Sequence, residues 1–337
     1  MKVQRSKVWM VVGVIFLVAA LGLSAQAKTY TLRFNTVASP TDIQVEAMNK
    51  FADIVGALSG GKITVKVYHS GQLGDQKTAL LGVMKGSLEM ACDASPSWFS
   101  DLAAYPEIGA LEVAYLYRDM DHMYRVLTGP IGQGYWDTLA QKSNMRVLDV
   151  WYLGTRELTL TQKAGPVKTP ADLKGIKLRM PNTEAWLNVG RALGATPTPL
   201  GFGEVYMALK TGTIEGQDNP IPTSYAEKFL EVTKYVVLTD HMIGYVTPVI
   251  NEKLWQEMPA EYRAFIQKAM LTARFYMNEK VLEQEATLLG KAQKEYGTIV
   301  VVPDKKAFME NAKKFYSDPK FDKIWGPGMY AKIQAVE

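Results

Sequence analysis

The chain has 337 residues, with 38 Lys and Arg against 34 Asp and Glu, three His and a single Cys. The first 27 residues hold three of the basic residues and none of the acidic ones, so the remainder balances at 35 against 34, close to neutral. One cysteine excludes an intramolecular disulfide, and a nearly neutral chain without a long Lys/Arg run offers nothing to nucleic acid or to an anionic membrane surface.

Lys2, Arg5 and Lys7 precede an apolar run over residues 8–23 that ends in Ala25, Gln26 and Ala27. This is the pattern of a secretory signal peptide, cleaved at about Ala27/Lys28. The alternative is an uncleaved anchor, although the run falls short of the ~20 residues that span a bilayer. No Cys follows it to carry a lipid, and a periplasmic destination is expected. About 310 residues then remain, enough for a large core.

From residue 29 the pattern alternates strand and helix. Strands are predicted over 29–35, 62–68 and 87–91, with helices over 43–58 and 76–84 between them. Gly60 and Gly61 stop the first helix. This rhythm marks a doubly wound α/β unit. It restarts after a strand at 145–151, with strands at 157–161, 176–178 and 196–199 and helices at 183–193 and 203–210. Two such units predict two lobes with a cleft between them, a favoured place for a small-molecule site. Lobe I is expected to comprise 28–152 plus about 243–280, and lobe II 153–242 plus about 281–337. Residues 259–296 carry a helical pattern about 55 Å long, which would lie across both lobes. Two helices broken near Asn278 or Gly290 are the alternative.

Signatures of catalysis are absent. His69, His122 and His241 show no metal-ligand spacing, and there is no nucleophile elbow, phosphate loop or dinucleotide fingerprint. Cys92 sits in an apolar run and reads as a small buried hydrophobe rather than a thiolate nucleophile. A binding protein without cofactor or metal explains these absences, and an enzyme assembled from scattered residues is the lesser alternative.

Two motifs carry chemistry: KGIKLRMPN at 174–182 and GTIEGQDNP at 212–220. Arg179 ends a short apolar strand, its backbone fixed by Pro181, and its guanidinium fork suits a carboxylate. Asn182 is placed to cap the following helix, whose N-terminus favours the same anion. Arg156, in LGTREL at 153–158, begins the second unit at the strand that crosses over from the first. Asn219 is held extended by Pro220 and can both donate and accept. Trp98, Phe99, Trp151, Tyr152, Trp186, Phe202 and Tyr206 cluster near these positions; most are expected in the core, with one or two stacking on a ligand.

On these motifs, together with Gly71-Gln-Leu-Gly74, ATPTP at 195–199 and FGEVYMAL at 202–209, the chain resembles the DctP-type solute-binding proteins of tripartite ATP-independent periplasmic (TRAP) transporters. The resemblance implies the two-lobe periplasmic binding fold and a role in capturing a small organic acid, with no cofactor. It gives Arg179 the main carboxylate salt bridge, assisted by Arg156 and Asn219. Asn35, Asn182, Phe202, Trp98 and Ser95 would line the pocket, with Asp218 and His241 supporting Arg156. The partners it implies are the carboxylate ligand and the small and large membrane subunits of a permease, served by a monomer whose lobes close by hinge bending. A ligand-presenting protein for a membrane sensor would have the same pocket. The second lobe is similar to the family's sialic-acid binders, but Ala94 and Ser97 stand where those carry an acidic residue and an Arg, which disfavours sialic acid.

Overall fold

A computed structural model of the chain describes residues 28–337, so the signal peptide expected over residues 1–27 lies outside the described residues. Eleven strands are described: β1 Tyr30–Asn35, β2 Ile63–Tyr68, β3 Met90–Ala91, β4 Met145–Val147, β5 Trp151–Leu160, β6 Lys177–Met180, β7 Thr196–Pro199, β8 Gly216–Pro220, β9 Tyr235–Val246, β10 Val249–Asn251 and β11 Ile299–Val301. They form two sheets, ordered β2-β1-β3-β10-β4 and β11-β9-β5-β8-β6-β7.

In β1 the alternating residues Tyr30, Leu32 and Phe34 are buried. They face the helix Ile43–Leu58, whose Ala47, Met48, Phe51 and Val55 recur at helical spacing on its buried side. Phe34 and Phe51 meet edge to face at 5.8 Å. Asp42 caps this helix by accepting from the Gln44 amide at 2.8 Å. Cys92 is fully buried and free, and burial pushes its thiol well up, in accord with an inert role.

Neither sheet is purely parallel. β10 returns from the second half of the chain to lie antiparallel between β3 and β4, and β5 runs antiparallel to both β8 and β9. The doubly wound expectation therefore gives way to two mixed sheets. The single strand expected at 145–151 is two strands in different sheets, parted by residues 148–150. The stretch expected at 157–161 belongs to the ten-residue β5, and that expected at 87–91 shrinks to Met90–Ala91.

β5 and β9 are the two crossings between the sheets, and they lie side by side, Trp151 opposite Val246. A third element bridges the sheets. The helix Ala260–Tyr296 is unbroken for 37 residues, so neither Asn278 nor Gly290 interrupts it, and it stops at Gly297 in the left-handed conformation. Ile266, Ala269, Met270, Ala273, Met277 and Val281 form its buried stripe. It packs on the helix Ile43–Leu58 at one end, and on β5 and the helix Ile221–Ala226 at the other. Its Glu285 accepts hydrogen bonds from the Thr155 amide at 2.6 Å and the Tyr152 hydroxyl at 2.9 Å, which ties the helix to the crossing strand. The end of the chain docks on the segment before β4: His122 Nε2 lies 3.1 Å from the Ile333 carbonyl, and Arg118 reaches the carbonyls of Gln334 and Val336. Among the described residues no helix is long and apolar enough to cross a membrane.

Gly154 allows the bulge in β5. Its φ is +117°, and a Cβ there would stand 2.7 Å from Pro220 Cβ and 3.2 Å from Glu285 Oε1. Gly154→Ala should cost about 1–3 kcal/mol of stability through strained backbone and crowding at the crossing. Urea unfolding of the variant measures it, and a midpoint equal to that of the parent would refute the constraint.

Candidate functional site

Strand order brings the predicted residues together. β8 lies between β5 and β6, with Asp218 opposite Leu158 and Gln217 beside Arg179, while Met242 of β9 pairs with Arg156. Residues far apart in sequence thus become neighbours on three adjoining strands and a fourth beyond them. Arg156 Nε donates to Asp218 Oδ2 at 2.7 Å, and its Nη2 donates to the Asp218 carbonyl at 2.7 Å and to Asn219 Oδ1 at 3.0 Å. His241 Nε2 sits 3.1 Å from the same Oδ2, with Nδ1 2.8 Å from Thr239 Oγ1. Burial alone would raise the Asp218 carboxyl. The Arg156 charge and the His241 hydrogen bond outweigh it and hold Asp218 well below the usual carboxylate range. The Arg156 guanidinium also lies 4.5 Å over the Trp186 ring, a cation–π contact that fixes its plane.

Arg179 is in a different state. It is 1% exposed, and its Nε donates to the Leu200 carbonyl at 3.0 Å. Its Nη2 is buried and has no hydrogen-bond partner among the described residues. Burial pushes its pKa down from 12.5 to about 10, with Asp218 opposing and Arg156 adding to the shift, so it remains a cation at neutral pH. The Phe202 ring lies 5.8 Å from the guanidinium. A buried cation with an unpaired donor has a large unmet electrostatic demand.

These side chains line one wall of a cleft of about 600 Å³, its open mouth included, whose other wall comes from the first sheet's side of the molecule. Arg156, Arg179, Asn219, Phe202, Ser95 and Trp98 all border it. Asn35 and Asn182 do not. Asn35 is fully buried, donating to the Gly74 carbonyl at 3.2 Å and accepting from the Leu73 amide at 3.1 Å, and so it holds the turn after β2. Asn182 is exposed, and the cap expected of it falls to Thr183, whose Oγ1 accepts from the Trp186 amide at 3.4 Å.

The opposite wall carries three carboxyls that sequence reasoning did not single out: Asp42, Asp93 and Glu112. Asp93 is saturated by Thr36 Oγ1 at 2.8 Å, the Val37 amide at 2.8 Å and Gln44 Nε2 at 2.9 Å. Glu112 Oε2 accepts from Ser95 Oγ at 2.9 Å and the Ser97 amide at 2.7 Å. Burial raises all three, Asp42 to about 7, with the Gln44 amide opposing and the charges of Glu227 and Asp93 adding to the shift. A signal for Glu112 was present, since it is the lone charge in the apolar run Ile108 to Ala114. Among the described residues no group of three or more His, Cys, Asp or Glu is arranged to hold a metal ion.

Comparison with known proteins agrees with this geometry. The family model described as bacterial extracellular solute-binding protein, family 7 (DctP), matches residues 34–322. The sialic acid-binding periplasmic protein SiaP of Vibrio cholerae is 35% identical over 323 residues, covering 95% of this chain and 98% of that protein. The 2,3-diketo-L-gulonate-binding periplasmic protein YiaO of Escherichia coli is 33% identical, with 87% of each chain covered. A crystal structure of a TRAP periplasmic solute binding protein from Roseobacter denitrificans, with bound 3-deoxy-D-manno-oct-2-ulosonic acid, superposes with a TM-score of 0.85 at 33% identity, covering 92% of this chain and all of that one. These relatives are solute-binding proteins rather than enzymes, and the two mixed sheets about a cleft are the two-lobe architecture they share. The chain therefore belongs to the DctP family of TRAP-transporter solute-binding proteins.

Proposed function

We propose that this protein captures a small organic monocarboxylate in the periplasm by an Arg179–carboxylate pair and delivers it to the small and large membrane subunits of a TRAP permease. The observation that carries this reading is the buried Arg179 guanidinium with Nη2 unpaired. Arg156 is already neutralised by Asp218, so the two arginines and one aspartate leave a single positive charge for an anion to meet. Asn219 and Arg156 orient that anion, and Phe202 and Trp98 wall it in. Closure removes water and strengthens the pair, each charged hydrogen bond contributing ~1.5–3 kcal/mol.

Lobe I, in this reading, comprises 28–152 plus about 243–280, and lobe II 153–242 plus about 281–337. The adjacent crossings β5 and β9 act as the hinge while the long helix flexes. The protein works as a monomer, released from its leader at about Ala27/Lys28. Contacts between the Ser39–Asp42 turn and the end of the helix Ile221–Ala226 support closure at the cleft mouth, the Ser39 amide donating to Glu227 Oε1 at 2.7 Å.

Arg179→Ala should weaken binding of the co-purifying acid, identified by mass spectrometry, by about 2–5 kcal/mol, at least some 30-fold. Isothermal titration measures this, and unchanged affinity would remove Arg179 from its role. The acidic wall also sets a pH dependence. Because Asp42 is raised from 3.8 to about 7, the folded protein binds more protons than the unfolded chain between about pH 4 and pH 7, and stability falls as pH rises through that window. Asp218 has the opposite sign, its depressed pKa contributing stability that is lost only in strong acid. The melting temperature of the free protein and its affinity for the acid should therefore both increase from about pH 8 to about pH 6. Asp42→Asn, which can keep the helix cap, should make both slopes shallower, with part of the stability trend kept by Glu157, which burial and Asp240 raise to about 10; slopes as steep as the parent's would assign them to another group.

A further inference from the structure

The two walls of the cleft are chemically opposite, and one carboxylate oxygen is left over. Glu112 is 5% exposed and borders the cleft, with Oε2 committed to Ser95 and Ser97. The hydrogen bonds from Ser95 and Ser97 both fall on Oε2, which leaves Oε1 without a hydrogen-bond partner among the described residues on a side chain that borders the cleft. The other two carboxyls of that wall are differently disposed: Asp93 is saturated by three donors, and Asp42 caps its helix. The cation whose charge bears on Glu112 is Arg156, already bridged to Asp218. The segment Asp93 to Trp98 supplies no positive charge of its own.

We propose that Glu112 is a specificity-determining residue: its Oε1 accepts a hydrogen bond from a hydroxyl at the far end of the bound acid, so the protein takes polyhydroxylated monocarboxylates and rejects dicarboxylates. The inference rests on the Arg179–carboxylate reading, which fixes the near end of the ligand. With that end on the arginine wall, a second carboxylate would be pressed against a buried carboxylate without a free counter-cation, whereas a hydroxyl would meet an acceptor already oriented by two donors. An ammonium group would also satisfy the acceptor. A hydroxyl is favoured because Gln76, an amide that exchanges hydrogen bonds with hydroxyls, borders the same cleft.

The test is a matched panel of C4–C9 acids, titrated calorimetrically into the purified protein, Glu112→Gln and Arg179→Ala. The panel contains hydroxylated monocarboxylates, donor-free monocarboxylates, dicarboxylates and amino acids. The expected result is that hydroxylated monocarboxylates bind at least 100-fold more tightly than dicarboxylates of equal length. In Glu112→Gln that ratio should fall at least tenfold, because the repulsion of the second carboxylate is relieved. A purely structural role for Glu112 would weaken every acid alike and leave the ratio intact, and that outcome overturns the proposal. So does a dicarboxylate, a donor-free acid or an amino acid binding best to the parent. If acids bind with affinities that Arg179→Ala does not change, or if no acid binds at all, the carboxylate reading fails and the Glu112 assignment falls with it.

Discussion

The site depends on the buried contact between Arg156 and Asp218. By consuming the charge of one arginine, Asp218 on β8 lets two guanidinium groups sit on the strands either side of it with less mutual repulsion, and it leaves Arg179 as the uncompensated cation of the two. A buried pair of this kind is weak evidence for stability, because desolvation offsets much of its attraction. Its value here is positional. Asp218 receives Arg156 and His241 on one oxygen, and Asn219 beside it receives Arg156 again, so the guanidinium plane is set from three directions before any anion arrives. Trp186 closes the fourth side.

This arrangement divides labour between the walls. The arginine wall is built on the strands β5, β6, β8 and β9 and is held by cross-strand hydrogen bonds, which suits recognition of a group common to many solutes. The acidic wall hangs on a turn and on helix ends: the Ser39–Asp42 turn, Ser95 and Ser97 at the start of the helix Pro96–Leu102, and Glu112 just after the short helix Pro106–Leu111. Turns and helix ends change with less cost to a fold than the interior of a sheet, which suits the proposed division between a fixed anion grip and a variable selecting wall.

Much of the arginine wall was legible in the sequence, because KGIKLRMPN and GTIEGQDNP each carry local constraints: a Pro that fixes the backbone after Arg179, and another that extends Asn219. The helices expected at 43–58 and 259–296 were legible from their helical patterns, although the pattern left open a break near Asn278 or Gly290 that the structure does not have. Asn182 was misplaced as a cap by one residue, Thr183 taking that role. Asn35 faces a turn rather than the cleft, a distinction that strand alternation cannot make for a residue at a strand's last position. Glu112 escaped notice because its meaning depends on Ser95 and Ser97, some fifteen residues earlier in the chain, which only tertiary folding brings within reach. The long strand β9 and the return of β10 to the first sheet were likewise invisible, since pairing partners so distant in the chain, Leu160 with Tyr235 and Val147 with Val249, leave no local trace.

That return of β10 governs when the molecule can fold. The first sheet lacks its inner strand until Asn251 exists, three-quarters of the way along the chain, and β4 has no neighbour in the sheet without it. A nascent chain can form the hairpin-free trio β1, β2 and β3 early, but it cannot seal that core during most of its synthesis. If the leader expected at residues 1–27 directs export, this topology delays closure of the first core until late in synthesis, which favours passage of a chain that is not yet compact.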